Sequence, residues 1–411
     1  MRIGIISDLH LGFRQYGSIE REQDFYRQFH TVCLALKEES PDIVIIAGDL
    51  FNTPTPSPAA IHAYREGIKV LNTPVFTIKG NHTMVMRDNH YSIDEFFGST
   101  NELKDYHLLD DVKFEQEGLE VSIDGITYRN NSSMDEFKSV QKFLAETKSI
   151  WGSYRILVVH QAFSEFCGFI GEELSITDID YKPYDLVICG HIHSRTDTQI
   201  NKKTLFVQPG SIERMNTTEA KDEEKNGKGF YIVETEDNTC EFHQVECPRK
   251  FFLDDIEIGG DFSILDFYEK LEKAAGKMKL APIISYNFHN YSGDVAAIRE
   301  NIISTRKNIL IDNSNIYDET QNEDVSVEIG DLEVPTILSL LKKRTEEEFG
   351  EKDASFSVDL YNLLKDDSDG IDVFLDEFFD ERSKTEDEIN IEEDLEEINE
   401  LERFFDNLGG A

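Results

Sequence analysis

Over the first 245 positions apolar residues come in short unbroken runs, separated by longer stretches in which they recur every three or four residues. The runs are Arg2 to Ser7, Asp42 to Ala47, Pro74 to Lys79, Gly125 to Arg129, Arg155 to Val159, Asp185 to Cys189, Thr204 to Gln208 and Gly229 to Glu234. Most are apolar on successive rather than alternate residues, as expected of strands covered on both faces. Glu22 to Glu39 and Ala59 to Leu71 carry helical spacing between them. The pattern predicts an α/β fold in which a β-sandwich is flanked by helices.

After Cys247-Pro248 the texture changes. Phe251 to Ile258 reads as a strand, Ser263 to Met278 as a helix, Ile283 to Phe288 as a strand and Val295 to Ile303 as a helix, together a small α+β domain. Beyond about Gly330 apolar residues recur at helical intervals in acidic surroundings: Leu360, Leu363 and Leu364, then Val373, Phe374, Phe378 and Phe379. These predict short amphipathic helices joined by polar linkers. No internal repeat is present. A chain of 411 residues exceeds what one core usually serves, and it reads as three regions, 1–245, 246–330 and 331–411.

Composition adds two constraints. With 39% hydrophobic residues the chain can fold without disulfides, and its five cysteines are scattered and never paired as C-x-x-C, which argues against a disulfide framework or a zinc knuckle. The apolar start is too short for a signal peptide and no segment approaches a membrane span, so a cytoplasmic protein with reduced thiols is expected. The second constraint is charge. With 82 acidic against 41 basic residues the formal net charge is −41, a poor starting point for wrapping DNA unaided. From Lys365 onward there are 19 acidic and 4 basic side chains. That tail has two readings, a disordered solubilising segment or a set of amphipathic segments that dock on a partner.

The chemistry lies at the strand ends. Five segments place metal-ligand residue types directly after an apolar run: Ser7-Asp8-Leu9-His10, Gly48-Asp49, Gly80-Asn81-His82, His160-Gln161 and Gly190-His191-Ile192-His193. In α/β folds the carboxyl ends of strands form the ligand crevice, so the five are expected to converge. Hydrolysis of a phosphodiester needs a nucleophile at neutral pH and neutralisation of the phosphoryl oxygens, and two divalent cations about 4 Å apart supply both. Carboxylate, amide and imidazole without thiolate suit Mn²⁺ best, with Mg²⁺, Fe²⁺ or Zn²⁺ as alternatives. Each segment alone is more often an ordinary turn; together, in this order, they carry weight.

This order, D-x-H, G-D, G-N-H, H and G-H-x-H, resembles the calcineurin-like metallophosphoesterase superfamily. Within it, Gly48-Asp49-Leu50-Phe51, Gly190-His191-Ile192-His193, Gln208-Pro209-Gly210-Ser211-Ile212-Glu213-Arg214 and Lys228-Gly229-Phe230 resemble the SbcD and Mre-eleven nucleases of double-strand-break repair. The resemblance covers residues 1 to 240 well and the remainder only by layout. It implies one ion held by Asp8, His10, Asp49 and His193, and a second held by Asp49, Asn81, His160 and His191. His82 is left for the phosphate, as the catalytic residue. It further implies a nuclease domain over 1–245, a capping domain over 246–330 that touches DNA, and a partner-binding region over 331–411 for an SbcC or Rad-fifty type coiled-coil ATPase, with the chain a homodimer.

Two departures from the family pattern stand out. Thr83 follows Gly-Asn-His where an acidic residue is usual, with Asp88 as a nearby substitute, and Asn52 follows Gly-Asp-Leu-Phe where His is frequent. Asn52 makes exonuclease action less secure than endonuclease action, because an amide cannot transfer protons. Basic residues expected near the crevice include Arg14, Lys79, Arg87, Arg195, Lys202, Lys203 and Arg214; Arg14, Asn52, Arg87, His90, Arg195 and Arg214 are the candidate DNA contacts. Two rival readings remain: a phosphodiesterase or phosphatase for nucleotides or small esters, and a non-catalytic scaffold subunit of a repair complex.

Overall fold

The computed structural model describes residues 1–83, 92–99, 103, 105–130, 133–149, 153–167, 174–259 and 262–318. Arg87, Asp88, His90 and the acidic region 331–411 lie outside them. The elements of the first 245 residues are β1 (Arg2–Ile6), α1 (Ile19–Glu38), β2 (Ile43–Ile46), α2 (Pro58–Leu71), β3 (Val75–Thr77), α3 (Ile93–Ser99), β4 (Tyr106–Leu108), β5 (Val112–Phe114), β6 (Val121–Ile126), α4 (Met134–Glu146), β7 (Tyr154–His160), α5 (Ser164–Cys167), β8 (Leu186–Gly190), β9 (Thr196–Gln199), β10 (Leu205–Gln208), α6 (Thr217–Asn226), β11 (Gly229–Glu234) and β12 (Thr239–Gln244). None of the described helices is long and apolar enough to cross a membrane.

Two six-stranded sheets carry the site. One has the order β12-β11-β1-β2-β3-β4, the other β5-β6-β7-β8-β10-β9. β1 to β4 are mutually parallel, and so are β6, β7, β8 and β10. Antiparallel strands lie toward the margins: β11 and β12 in the first sheet, β5 and β9 in the second. Parallel pairing puts the carboxyl ends of neighbouring strands at the same edge, and a parallel bridge between Ser7 and Ser211 joins the two sheets' edges there.

The unbroken apolar runs are explained by three packed layers. Ile3, Ile5, Ile45 and Phe76 of the first sheet meet Ile123, Ile156, Val158, Ile188 and Val207 of the second. Their sequence neighbours point the other way: Ile6, Val44 and Ile46 pack under Phe25, Phe29 and Tyr64 of α1 and α2, while Leu157 and Val159 pack under Phe137 and Leu144 of α4. Successive side chains of a strand face opposite sides, so covering both sides demands apolar residues throughout. The helices start on cues of the usual kind, with Ser18 accepting from Arg21 N ahead of α1, and Ser57 from Ala60 N ahead of α2.

Several elements differ from the expectation. The strand read as Gly125 to Arg129 begins at Val121, because Ser122 and Asp124 interrupt the apolar run yet are buried in the ladder with β7. Asp124 is tolerated there because Lys113, Arg155 and the Tyr184 hydroxyl all meet its carboxylate. Short β4 and β5, the alternating β9 and β12, and the helix α4 escaped the pattern altogether.

Beyond β12 come β13 (Phe251–Glu257), α7 (Ile264–Ala275), β14 (Ile283–Tyr291), α8 (Val295–Thr305), β15 (Ile311–Asp312) and β16 (Asn315–Asp318). β14 pairs in parallel with the other three strands, and Ile264, Tyr268, Ile284, Phe288 and Ile302 form a separate core. These strands belong to the same unit, Met1–Thr320, as the two large sheets. A buried ion network joins them. Arg249, 2% exposed, donates to both Asp24 carboxylate oxygens at 2.5 and 3.2 Å. Asp24 also receives Arg21 at 2.8 Å, and Arg21 reaches Glu213 at 3.4 Å and Arg214 O at 2.9 Å. The Arg214 guanidinium bonds Arg249 O and covers Phe251 at 4.4 Å. One cluster thus ties α1, the segment after β10 and the start of β13.

Removing one partner of such a network strands a buried charge, at about 3–5 kcal/mol, whereas an exposed pair is worth about 0–1 kcal/mol. In urea unfolding, Arg249→Met is therefore expected to lose about 3–5 kcal/mol and Lys250→Met, whose pair with Glu246 is exposed, under about 1 kcal/mol; equal losses would refute the assignment. A second expectation concerns Asp94 on α3, which is fully buried. Burial raises its carboxyl to about 7, so the native state keeps a proton that the unfolded chain releases above about pH 4. This group therefore lowers stability progressively as pH rises from about 4 to about 7. Asp94→Asn is expected to raise the thermal midpoint at pH 8 and to leave it nearly unchanged at pH 4, which differential scanning calorimetry reads directly.

Candidate metal centre

The five segments leave their strands at one rim. β1 runs into Asp8 and His10, β2 into Asp49, β3 into Asn81 and His82, β7 ends on His160, and β8 runs into His191 and His193. His10 Nε2 lies 3.1 Å from His193 Nε2 and 3.8 Å from Asp49 Oδ2. Asp8 Oδ1 is 3.9 Å from both His10 Nε2 and His193 Nε2. At the other end His160 Nε2 is 3.1 Å from Asp49 Oδ2 and 3.1 Å from Asn81 Oδ1, which His191 Nδ1 approaches at 2.9 Å. All seven expected ligands are thus brought together, with Asp49 between the two ends.

The backbone bends sharply to do this. Asp8, His10, Asp49 and His191 adopt positive φ of 52°, 44°, 47° and 87°, a region that non-glycine residues avoid and that costs about 1–3 kcal/mol each where it persists. Hydrogen bonds lock the bends: Leu9 N and His10 N donate to Asp49 O, and His191 N donates to the Asp8 carboxylate at 3.2 Å. Gly190 lets β8 pass close beneath, since a Cβ there would lie 2.0 Å from Ala47 O.

The electrostatics favour cation binding. Burial pushes His10 down to about 3, and burial together with neighbouring His160 pushes His191 down to about 4, so both are neutral at pH 7 with a lone pair free. Burial opposes the charged forms of Asp49 and His160, yet their mutual attraction prevails, holding the carboxylate well below its ordinary range and raising the imidazole to about 9. Asp8 is raised, first by its own burial. Imidazole nitrogens 3.1 Å apart, carboxylates and an amide oxygen converging on one spot form a donor set that fits divalent metal ions. Three groups of such donors, Asp8-His10-His193, His10-Asp49-His82 and Asp8-Asp49-His160, lie within ion-holding distance.

Residues outside the motifs orient the ligands. Ser7 Oγ donates to Asp8 Oδ2 at 2.5 Å, His160 Nδ1 donates to Ala47 O at 2.8 Å, and His193 Nδ1 donates to Glu219 Oε1 at 2.8 Å. His82 Nδ1 donates to the Asn52 carbonyl at 3.1 Å, while its ring packs T-shaped with that of His10, their centroids 4.7 Å apart. The carboxylate missing at Thr83 is therefore answered by a main-chain carbonyl, and Asn52 contributes through its backbone. A ring nitrogen of His82 also lies within 4.8 Å of candidate ligand atoms of His10 and Asp49.

The candidate DNA contacts divide. Arg14 is exposed and paired with Glu22 at 2.5 Å, and Lys79 is held by Asp110 at 2.8 Å and Glu95 at 3.3 Å. Arg195 covers Phe242 at 4.1 Å and bonds the Tyr231 hydroxyl at 3.2 Å. Arg214 is 4% exposed, and its guanidinium is engaged by Glu213 and by the Arg249 carbonyl in the junction network. The other histidines take ordinary places, His107 stacked on Phe76, His243 on Phe230 and His289 on Tyr317.

Comparison with known proteins agrees with this geometry. The family model described as calcineurin-like phosphoesterase matches residues 1–195. The chain is 28% identical over 390 residues to the DNA double-strand break repair protein Mre11 of Methanococcus maripaludis, covering 91% of this chain and 98% of that protein. It is 31% identical over 247 residues to the Mre11 of Methanocaldococcus jannaschii, covering 59% and 64%, and 27% identical over 406 residues to that of Archaeoglobus fulgidus, covering 91% and 83%. With its ligand segments converging in the family's order and these relatives beside it, residues 1–195 carry a calcineurin-like phosphoesterase domain, that of a metal-dependent phosphodiester hydrolase.

Proposed function

We propose that this chain is the nuclease subunit of a DNA double-strand-break repair complex, hydrolysing DNA phosphodiester bonds with two Mn²⁺ ions. The observation that carries this reading is the meeting of all five strand-end segments at one rim, and similarity to Mre11 proteins along nearly the whole chain directs it toward DNA. Asp8, His10, Asp49 and His193 would hold one ion, and Asp49, Asn81, His160 and His191 the other. Bound there, the cations would acidify a water nucleophile and neutralise charge on the phosphoryl oxygens.

The chain's own residues do the rest. Asp49 is suited to serve both ends because Oδ2 stands 3.8 Å from His10 Nε2 and 3.1 Å from His160 Nε2, while Oδ1 accepts from His82 N at 3.0 Å. His82, its Nδ1 committed to Asn52 O, keeps Nε2 for a phosphate oxygen or for protonating the departing one. Asn52 cannot transfer a proton through its side chain, which favours endonuclease over exonuclease action. Arg14, Lys79 and Arg195 are already engaged with the protein's own groups, and the chain carries a charge of −41. A partner with a positive surface is therefore required for firm DNA binding. An SbcC or Rad-fifty type ATPase docked on 331–411, a DNA-contacting role for 246–330 and homodimerisation complete the proposal.

Purified protein with Mn²⁺ is expected to cleave circular single-stranded DNA and bis-p-nitrophenyl phosphate. Good turnover of cyclic nucleotides with no DNA cleavage would replace the nuclease by a nucleotide phosphodiesterase. His82→Ala is expected to lower the cleavage rate by about 10²–10⁴-fold while the Mn²⁺ content, read by plasma mass spectrometry, stays at the wild-type level. Unchanged residual cleavage in that variant would point to a scaffold subunit whose activity belongs to a contaminant. Asp49→Ala, by contrast, is expected to lose both ions and rate together.

A further inference from the structure

Two of the branch-like segments, Pro209-Gly210-Ser211 and Lys228-Gly229-Phe230, contain none of the expected metal ligands. Both converge on His193. Gly210, at φ +75°, packs so closely that a Cβ would sit 2.6 Å from His193 O. Ser211 N donates to that same carbonyl at 3.1 Å and Lys228 Nζ at 3.0 Å. The backbone of His193 is thus held from two sides.

The side chain of His193 is held by a third residue, Glu219 of α6. Glu219 Oε1 accepts from His193 Nδ1 at 2.8 Å. Its other oxygen accepts from Lys228 Nζ at 3.1 Å and from Met215 N at 3.1 Å, and Ser211 Oγ lies 3.1 Å away. Lys228 Nζ also donates to Ser211 Oγ at 2.6 Å. The side chains of Glu219 and Lys228 are 12% and 4% exposed, so solvent screens this contact little. The His160 ring differs in that its outer nitrogen meets only a main-chain carbonyl, Ala47 O.

We propose that Glu219 is the positioning residue for the Asp8-His10-His193 end of the centre, and that Ser211 and Lys228 act through it. A carboxylate accepting from Nδ1 fixes the tautomer, leaving Nε2 bare and aimed at His10 Nε2, 3.1 Å away, and Asp8 Oδ1, 3.9 Å away. Lys228 offsets part of the Glu219 charge and holds the carboxylate in place. As far as metal is concerned, this inference rests on the two-cation reading above.

The test has two readouts on the full-length chain. Long-range ¹H–¹⁵N correlation spectra of the metal-free protein should show His193 as the Nδ1–H tautomer, and Glu219→Ala should turn it into a mixture. Calorimetric titration with Mn²⁺ alone should show one of two affinities weakened by about 10–100-fold in Glu219→Ala, the other staying within about twofold. Glu219→Gln, isosteric and still able to accept from Nδ1–H but turning an amide N–H₂ toward Lys228, should show a smaller loss at the same end. Wild-type spectra lacking the Nδ1–H tautomer, or a folded Glu219→Ala with tautomer and both affinities unchanged, would overturn the proposal. If Glu219→Ala does not fold, absence of any affinity or tautomer change in Glu219→Gln does the same. Wild-type protein that takes up no Mn²⁺ would sink the two-cation reading instead, while the tautomer measurement still decides the role of Glu219.

Discussion

Two buried carboxylates, Asp8 and Asp49, held among imidazoles at the meeting edge of two sheets, are the constraint around which this molecule is built. Removing two negative charges from water is costly unless counter-charge is fixed beside them. The protein supplies part of it through His160, and the neutral imidazoles of His10 and His191 offer lone pairs instead of protons. A cluster of that kind is poorly satisfied by protons alone and well satisfied by cations. The positive φ values at Asp8, His10, Asp49 and His191 belong to the same account, since backbone strain persists only where the surrounding structure enforces it.

Parallel strands provide that enforcement. Because β1, β2 and β3 in one sheet and β7 and β8 in the other end at a common edge, five loops far apart in sequence are anchored within a few ångströms. The anchors are deep in three apolar layers, so the ligand loops sit on elements that cannot shift independently. Precision at the rim is therefore a product of packing beneath it.

Around the centre a surrounding set of contacts joins chemistry to architecture. The segment after β10 is central to it: Gly210 and Ser211 face His193, while Glu213 and Arg214, two and three residues on, enter the buried network with Arg21, Asp24 and Arg249. One short stretch thus touches His193 at one end and the start of β13 at the other. A single local sequence serves both the site and the junction, which accounts for its dense content of charged and small residues.

The order and kind of the ligand segments were legible in the chain because their signals are local: an unbroken apolar run, a glycine or a polar break, and a donor side chain immediately after. Most of the long buried strands followed for the same reason, whereas Ser122 and Asp124 interrupted one such run and the short β4 and β5 and the alternating β9 and β12 gave no unbroken run to read. What no local signal carried was how residues at a distance complete each other. Glu219, 26 positions from His193, looks like any other acid in a polar helix; Asn52 acts through its carbonyl, which every residue possesses; and Arg214, basic and near the crevice in sequence, is buried against Phe251 and Arg249. A charged side chain's role is set by what lies within about 3 Å of it, and only the folded chain determines that.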